Sequence, residues 1–155
     1  MVGKYRLAIV DDHPLVRQGM VETLEEESDF EVVAQGISAD DAVRIATNDN
    51  PQLMFLDVNM PGGGVLAAAR ISAVAPDVVT AIFSFRQDLA IVRASLDAGA
   101  KGYIVKGVTG GELRSLSHVL LSGQRWLDAE IARRLAAEEA GAHDQNSVRV
   151  PDDIC

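Results

Sequence analysis

Polar or charged residues stand at the ends of four separate apolar runs, and together their types suit one kind of chemistry. They are Asp11 with Asp12, then Asp57, Ser84 and Lys106. A single aspartate after an apolar run is usually a cap or turn residue. Four such sites are harder to dismiss, because the carboxyl ends of parallel strands meet at one edge of a sheet. We therefore expect one cleft that holds three carboxylates, a hydroxyl and an ammonium.

This set of groups predicts phosphoryl transfer to an aspartate. Three carboxylates in one cleft raise each other's pKa values unless a cation joins them. Mg²⁺ suits such a site because it takes oxygen ligands and keeps several waters. One carboxylate can then attack a phosphoryl group and form an aspartyl phosphate. The cation, the ammonium of Lys106 and the hydroxyl of Ser84 would each take one of the three phosphoryl oxygens.

The elements that would position these groups are short apolar runs, alternating with segments of helical period. Each run has the length of a strand buried on both faces. The runs are Leu7–Val10, Glu31–Ala34, Leu53–Leu56, Val78–Phe83 and Tyr103–Val105. Residues typical of helix ends flank the helical segments: Pro14 at a start, Ser38 with Asp41 and Thr109 with Glu112 as capping boxes, and Gly99 and Gly123 after helix ends.

Five β-α units in succession predict the α/β class, with a five-stranded parallel sheet covered by helices on both faces. Right-handed crossovers favour the flavodoxin-like strand order 2-1-3-4-5. We expect residues 1–125 to form this domain. Residues 126–155 would add an extra C-terminal helix over Asp128–Ala140 and a mobile tail from Gly141.

Composition limits the classes of partner and compartment. The net charge of the 155 residues is -9 and the basic residues are scattered, so direct binding of nucleic acid is not expected. No apolar stretch approaches the roughly 20 residues of a membrane span, and the N-terminus lacks a signal-peptide pattern. The single cysteine, Cys155, permits no intramolecular disulfide. These features favour a cytoplasmic protein without membrane contact.

Four segments of the sequence together resemble the receiver domains of two-component response regulators. The start and end of the pattern look most like the NarL/FixJ (LuxR-type) group, and the resemblance spans about residues 5 to 122. The segments are Ile9-Val10-Asp11-Asp12-His13-Pro14, Phe55-Leu56-Asp57-Val58-Asn59-Met60-Pro61-Gly62, Phe83-Ser84, and Ala98-Gly99-Ala100-Lys101-Gly102-Tyr103-Ile104-Val105-Lys106.

The resemblance implies a role for each matching residue. Asp57 would be the phospho-acceptor, Lys106 would pair with the phosphoryl group, and Ser84 would be the switch hydroxyl. Tyr103 would be the aromatic partner that rotates inward. The implied Mg²⁺ ligands are Asp12 and Asp57 directly, the backbone carbonyl of Asn59, and Asp11 through water.

The implied function is a signalling relay rather than an enzyme, with at most autophosphorylation and autodephosphorylation chemistry. The phosphoryl group would come from a sensor histidine kinase and control dimerisation or a transcriptional effector. The implied group usually carries a DNA-binding domain, for which we see no pattern after Trp126. We expect a chain that ends within an interdomain linker, with a single-domain regulator as the alternative. DNA would be bound only through that further domain.

Other interpretations of the same residues remain open. An aspartyl-phosphate phosphohydrolase would need a second aspartate at the position of Asn59, which cannot transfer a proton. A binding module that has lost phosphorylation would not need the complete acidic set. The run Gly62-Gly63-Gly64 lacks the spacing of a phosphate-binding loop and is interpreted as a turn into a helix. We expect His13 to cap a helix or lie at the surface, and His118 and His143 to lack partners at ligand spacing.

Two positions depart from the pattern of the resembled family. Phe85 follows Ser84, where a small residue is typical, and its ring could narrow the access of water or small phosphodonors to Asp57. An unchanged autodephosphorylation rate in Phe85→Ala would discard that hypothesis. Gly107 follows Lys106 in place of the commoner proline. A cis bond before a non-proline residue would cost about 3 kcal/mol, so we do not expect one.

Overall fold

The computed structural model describes the backbone of residues 3–154 and the side chains of residues 3–141. Strands and helices alternate along the chain: β1 Tyr5–Val10, α1 Pro14–Glu25, β2 Phe30–Gly36, α2 Ala39–Asn48, β3 Leu53–Leu56, α3 Gly64–Val74, β4 Val79–Ser84, α4 Leu89–Asp97, β5 Gly102–Val105, α5 Gly110–Leu121, β6 Trp126–Leu127 and α6 Ala129–Ile154. Within this part of the chain, no helix has the length and apolar composition that a membrane span requires.

All strands are parallel and lie in the order β2-β1-β3-β4-β5-β6. The α/β class and the order 2-1-3-4-5 are confirmed, but the expected count of five strands is wrong. The sixth strand consists of Trp126 and Leu127, which pair with Gly102 and Tyr103 of β5. Two residues are too few to show the alternation of a strand, so the pattern did not reveal it.

Apolar side chains on the two faces of the sheet form two cores. One core packs the sheet against α1 and α5, with Leu24 and Leu116 among its buried residues. The other packs the opposite face against α2, α3 and α4, with Ile71 and Val92 among its buried residues. Ile131 of α6 is fully buried in this second core. Strands buried on both sides explain the continuous apolar runs.

The helix ends follow the predicted capping chemistry with one difference. Thr109 and Glu112 form a complete capping box at the start of α5. Oγ of Ser38 accepts from the amide of Asp41 at 3.1 Å, but the carboxylate of Asp41 accepts from the amide of Ile37, one residue before the cap. The box at α2 is therefore displaced by one residue.

The C-terminal helix is longer than its apolar pattern indicated. We expected a helix over Asp128–Ala140, whereas α6 runs from Ala129 to Ile154. The side chains that follow Gly141 lie outside the described residues, so the proposed mobility of the tail and the division into 1–125 and 126–155 stay predictions. The first turns of α6 lie against α4, which places the helix beside the β4–α4 loop.

Candidate phosphoryl-acceptor site

The predicted site residues stand at the same edge of the sheet. Asp11 follows β1, Asp57 follows β3 and Lys106 follows β5, while Ser84 is the last residue of β4. Backbone hydrogen bonds hold these ends level: the amide of Asp57 donates to Val10 O at 3.0 Å, and that of Lys106 donates to Ser84 O at 2.8 Å. The sheet topology thus brings together four segments that are far apart in sequence.

The ammonium of Lys106 joins two buried carboxylates. Its Nζ lies 3.0 Å from Oδ2 of Asp11 and 3.3 Å from Oδ1 of Asp57. The side chains are almost fully buried, with exposed fractions of 5%, 2% and 3% for Lys106, Asp11 and Asp57. Buried charges of this kind are stable only when they are paired, so each side chain fixes the position of the others.

Two carboxylate oxygens at this site lack a hydrogen-bond donor among the described residues. They are Oδ1 of Asp12 and Oδ2 of Asp57, and both atoms are buried. Buried oxygens without a donor are uncommon and cost free energy unless an ion or water satisfies them. Asp11, Asp12, His13 and Asp57 each offer a ligand atom within 4.8 Å of the others. The three carboxylates of this group fit a hard divalent cation such as Mg²⁺, which prefers oxygen ligands.

Burial is the main cause that raises the pKa of Asp57 above its usual value, and the nearby charge of Asp11 adds to it. The charge and hydrogen bond of Lys106 and the amide of Asn59 act in the opposite direction. The ionised carboxylate of Asp57 is thus poorly stabilised in the described protein. A further positive charge beside Asp57 would stabilise its ionised carboxylate.

The expectation for His13 is only partly right. Its side chain is 60% exposed, but it makes no capping hydrogen bond at the start of α1. Its Nδ1 lies 3.0 Å from one carboxylate oxygen of Asp11 and 3.0 Å from Oδ1 of Asp12, although the contact with Asp12 lacks hydrogen-bond geometry. The backbone turns at Pro14 and directs the imidazole back over the acidic residues, a contact that adjacency to Asp12 could have indicated.

Ser84 and Tyr103 both bind the backbone of Arg86. Oγ of Ser84 accepts from the amide of Arg86 at 3.1 Å, and the hydroxyl of Tyr103 donates to its carbonyl at 2.7 Å. Both side chains are fully buried, and burial raises the pKa of Tyr103. Tyr103 therefore lies inside the protein, and the two residues expected to act together meet at one point of the β4–α4 loop.

The glycine run after Asp57 forms a turn into α3, as predicted. Gly63 caps α3 and Gly64 is its first residue. A Cβ at Gly64 would lie 2.4 Å from the backbone oxygen of Asp57, far inside contact distance. Gly64 is thus required by the close approach of the chain to Asp57. The side chain of Asn59, between them, is exposed.

Two aromatic rings lie near the ammonium of Lys106. The Nζ atom is 5.9 Å from the ring centre of Phe83 and 5.3 Å from that of Phe85. Phe85 is 70% exposed. In the sequence, Phe85 stands out only for its size. That its ring narrows the access of water or small phosphodonors to Asp57 stays a prediction. No cis peptide bond occurs in the described chain, Lys106–Gly107 included.

The expectation that His118 lacks partners at ligand spacing is wrong. Glu27, Asp29 and His118 each offer a ligand atom within 4.8 Å of the others. The imidazole also lies 4.7 Å from the ring of Phe30 and 6.0 Å from that of Tyr5. These aromatic contacts account for its position as part of the packing between α5 and the sheet. His143 lies outside the described side chains.

Comparison with known proteins agrees with this geometry. Residues 7–117 match the family of response regulator receiver domains. The chain is 32% identical over 137 residues to the transcriptional regulatory protein DegU of Brevibacillus brevis, covering 88% of this chain and 58% of that protein. It is 31% identical over 132 residues to the response regulator UvrY of Escherichia coli K12, covering 84% of this chain and 61% of that protein.

A solved structure shares both the fold and recognisable sequence. The crystal structure of a two-component response regulator of the LuxR family from Aurantimonas sp. has a TM-score of 0.84 and 31% identity, covering 89% of this chain and 99% of that one. The chain spans about six tenths of the length of DegU and UvrY.

Proposed function

The chain belongs to the family of response regulator receiver domains, and on that premise we propose that it accepts a phosphoryl group on Asp57 from a sensor histidine kinase. The observation that carries the proposal is the contact of Lys106 with Asp57 and Asp11, beside two buried oxygens without donors. A nucleophile, a positive charge and the oxygen ligands of a cation thereby share one site.

The chemical step is an in-line displacement at phosphorus. A carboxylate oxygen of Asp57 forms a bond to phosphorus while the bond from phosphorus to the phosphohistidine nitrogen breaks. The electron pair stays on the imidazole nitrogen, which takes up a proton from solvent. Lys106 holds its positive charge where the oxygens of the arriving group collect negative charge, which is how most phosphoryl-transfer sites act. Ser84 would donate its hydroxyl proton to one of those oxygens.

Mg²⁺ would be held by Asp12 and Asp57, with the backbone carbonyl of Asn59, and by Asp11 through water. When bound, it would neutralise the acidic pocket and the transferring phosphoryl group. The buried Oδ1 of Asp12 and Oδ2 of Asp57 support this assignment, because neither accepts a hydrogen bond from the described residues.

A signalling role fits the site better than phosphatase turnover. A phosphohydrolase of this chemistry needs a proton donor two residues after the nucleophile, and Asn59 has no ionisable proton. We therefore propose that the phosphoryl group stays on Asp57 long enough to change the conformation of the protein and act on an effector. Steady-state phosphate release from a generic monoester discriminates the two functions, since rapid turnover would contradict the signalling proposal.

The kinase would approach over the α1 side of the pocket. A cavity of about 280 Å³ lies there, and its lining includes Leu15, Met20, Phe85 and Lys106. Leu15 is 84% exposed and Phe85 is 70% exposed, so two large apolar side chains share one accessible cavity. An apolar rim next to Lys106 would let the helix that carries the phosphohistidine pack close to Asp57.

We propose that the β4–α4 loop passes the signal to α6. Movement of Ser84 toward a phosphoryl group would break its bond with the amide of Arg86, the residue that also holds Tyr103. The next residue, Gln87, accepts a hydrogen bond from Arg134 of α6 at 3.1 Å. Arg93 of α4 and Glu138 of α6 form an ion pair on the same face. A shift in the loop would thus change how α6 docks, as a population shift between two states.

The partners and setting of the whole protein are part of the proposal. Transcriptional control through dimerisation or an effector segment is supported by the relatives, one of which is named a transcriptional regulatory protein. DNA would be contacted only by a further C-terminal domain. A cytoplasmic setting is proposed from the composition of the sequence.

Phosphotransfer tests the function directly. A histidine kinase labelled at its phosphohistidine is mixed with wild-type protein, with Asp57→Asn and with Asp77→Asn, an exposed control on the α3–β4 loop, each with Mg²⁺. We expect label on the wild type and Asp77→Asn only, followed by a change in size on chromatography if phosphorylation controls dimerisation. Labelling of Asp57→Asn would contradict the proposal.

A further inference from the structure

Phosphorylation of Asp57 would change one of the two ion pairs that hold the ammonium of Lys106. Its stem is a flexible four-carbon chain that ends in a strongly hydrated ammonium, so it readily turns toward water. Before phosphorylation, Asp11 at 3.0 Å and Asp57 at 3.3 Å hold the ammonium. Phosphorylation turns the Asp57 carboxylate into an acyl phosphate, so Asp11 is then the carboxylate that remains, while the ammonium must still point toward the new phosphoryl dianion.

Two aromatic rings face the ammonium at this position. Phe83 is in β4 and Phe85 follows Ser84, the last residue of that strand. Their ring centres lie 5.9 and 5.3 Å from Nζ of Lys106, within the range of cation–π attraction. The Lys106 side chain is only 5% exposed, and low exposure strengthens such attraction.

The two rings are held in different ways. Phe83 is 7% exposed and packs edge-on against Phe55, with ring centres 6.4 Å apart, so the core fixes it. Phe85 is 70% exposed and lies beyond the end of β4, where packing alone gives little reason for an aromatic ring. Besides lining the cavity next to α1, its ring lies 5.3 Å from the ammonium of Lys106.

We propose that Phe85 is a positioning residue, which together with Phe83 holds the ammonium of Lys106 toward Asp57 during phosphoryl transfer. This inference rests on the proposed function and adds a role for a residue that need not touch the phosphoryl group. The π face of the Phe85 ring, rather than the volume of its side chain, holds the ammonium. Leucine at position 85 keeps most of the bulk and removes the π face, whereas tryptophan restores it.

The test compares Phe85→Leu and Phe85→Trp with wild type in two measurements. The first is calorimetric affinity for beryllofluoride with Mg²⁺, and the second is the rate of phosphorylation by phosphoramidate over a range of concentrations. We expect Phe85→Leu to lower the affinity and the maximal rate about 3- to 10-fold, as the loss of one cation–π contact predicts. The half-saturating donor concentration should not change, and Phe85→Trp should restore both values.

Leu66→Ala is the matched control, because Leu66 is an exposed apolar side chain on α3, away from Lys106. It should behave as wild type. Equal values for Phe85→Leu and wild type, or a failure of tryptophan to restore them, would overturn the positioning role while leaving the proposed function intact. A wild-type protein that neither binds beryllofluoride nor becomes phosphorylated would overturn both.

Discussion

Nζ of Lys106 lies 3.3 Å from Oδ1 of Asp57 in a pocket where both side chains are almost completely buried. The same ammonium is 3.0 Å from Asp11, so one positive charge is shared by two carboxylates. Negative charge is therefore in excess in this pocket. Several consequences for stability and signalling can be measured.

Lys106→Met should destabilise the metal-free protein by about 3 kcal/mol, because it leaves buried carboxylates without their partner. Urea unfolding in the presence of a chelator measures the effect. Added Mg²⁺ should recover part of the loss by replacing the missing charge. Lys101→Met, at an exposed position one strand length away, is the control and should change stability little. If Lys106→Met were as stable as this control, the claim that Lys106 stabilises the buried carboxylates of Asp11 and Asp57 would be wrong.

Asp57→Asn should stabilise the metal-free protein at pH 7 by on the order of 1 kcal/mol. The pKa of Asp57 is raised in the folded state, so the carboxyl group favours folding when it is protonated, and that contribution is lost as pH rises through the folded pKa. The advantage of asparagine should therefore shrink as pH falls toward the unfolded value of 3.8.

Unfolding of Asp57→Asn and wild type at pH 7 and at pH 4, both without metal, checks the sign. Asp77→Asn should show no such pH-dependent gain, since its side chain is exposed. A gain that grows on acidification would mean that the Asp57 carboxylate is stabilised rather than strained.

Gly64→Ala should cost several times more stability than an ordinary helix substitution, and it should weaken the binding of beryllofluoride. The Cβ of the new alanine would lie 2.4 Å from the backbone oxygen of Asp57, so the backbone around Asp57 would have to move. Gly19→Ala in α1 is the matched control, because nothing lies within 4 Å of its Cβ. That change should stabilise the protein by about 0.5–1 kcal/mol. Similar thermal unfolding and similar beryllofluoride binding for both variants would contradict the close approach.

Ile131→Ala should loosen α6 from the rest of the protein. Ile131 is fully buried against the core beside α4, and truncation of such a residue costs about 2–5 kcal/mol of packing. Amide hydrogen exchange should rise over residues 129–141, with little change in β1 or β3. Glu130→Ala, on an exposed position of the same helix, should exchange as wild type. Unchanged exchange in Ile131→Ala would contradict the docking of α6 through Ile131.

Much of the site could be predicted because it depends on strand ends. The continuous apolar runs predicted β1, β3, β4 and β5. Because parallel strands end at the same edge of a sheet, they also predicted that Asp11, Asp57 and Lys106 lie together there. Each of these residues is recognisable from its type and from the run before it.

Other features depend on three-dimensional packing that no local pattern encodes. β6 exists because Trp126 and Leu127 lie along β5, and a two-residue strand has no period of its own. The contact of His13 with the carboxylates depends on the direction in which Pro14 starts α1. The shared use of Arg86 by Ser84 and Tyr103 involves backbone atoms, which residue types do not reveal.

Chemical trapping at the acceptor tests the central claim most directly. Wild-type protein phosphorylated with Mg²⁺ present is treated with borohydride, which reduces an aspartyl phosphate to homoserine and releases phosphate, and the peptides are sequenced by mass spectrometry. We predict homoserine at position 57 and unmodified aspartate at positions 11 and 12. Homoserine at position 11 or 12 in place of 57, or a phosphoryl group that survives on a serine or histidine, would contradict the assignment of Asp57 as the acceptor.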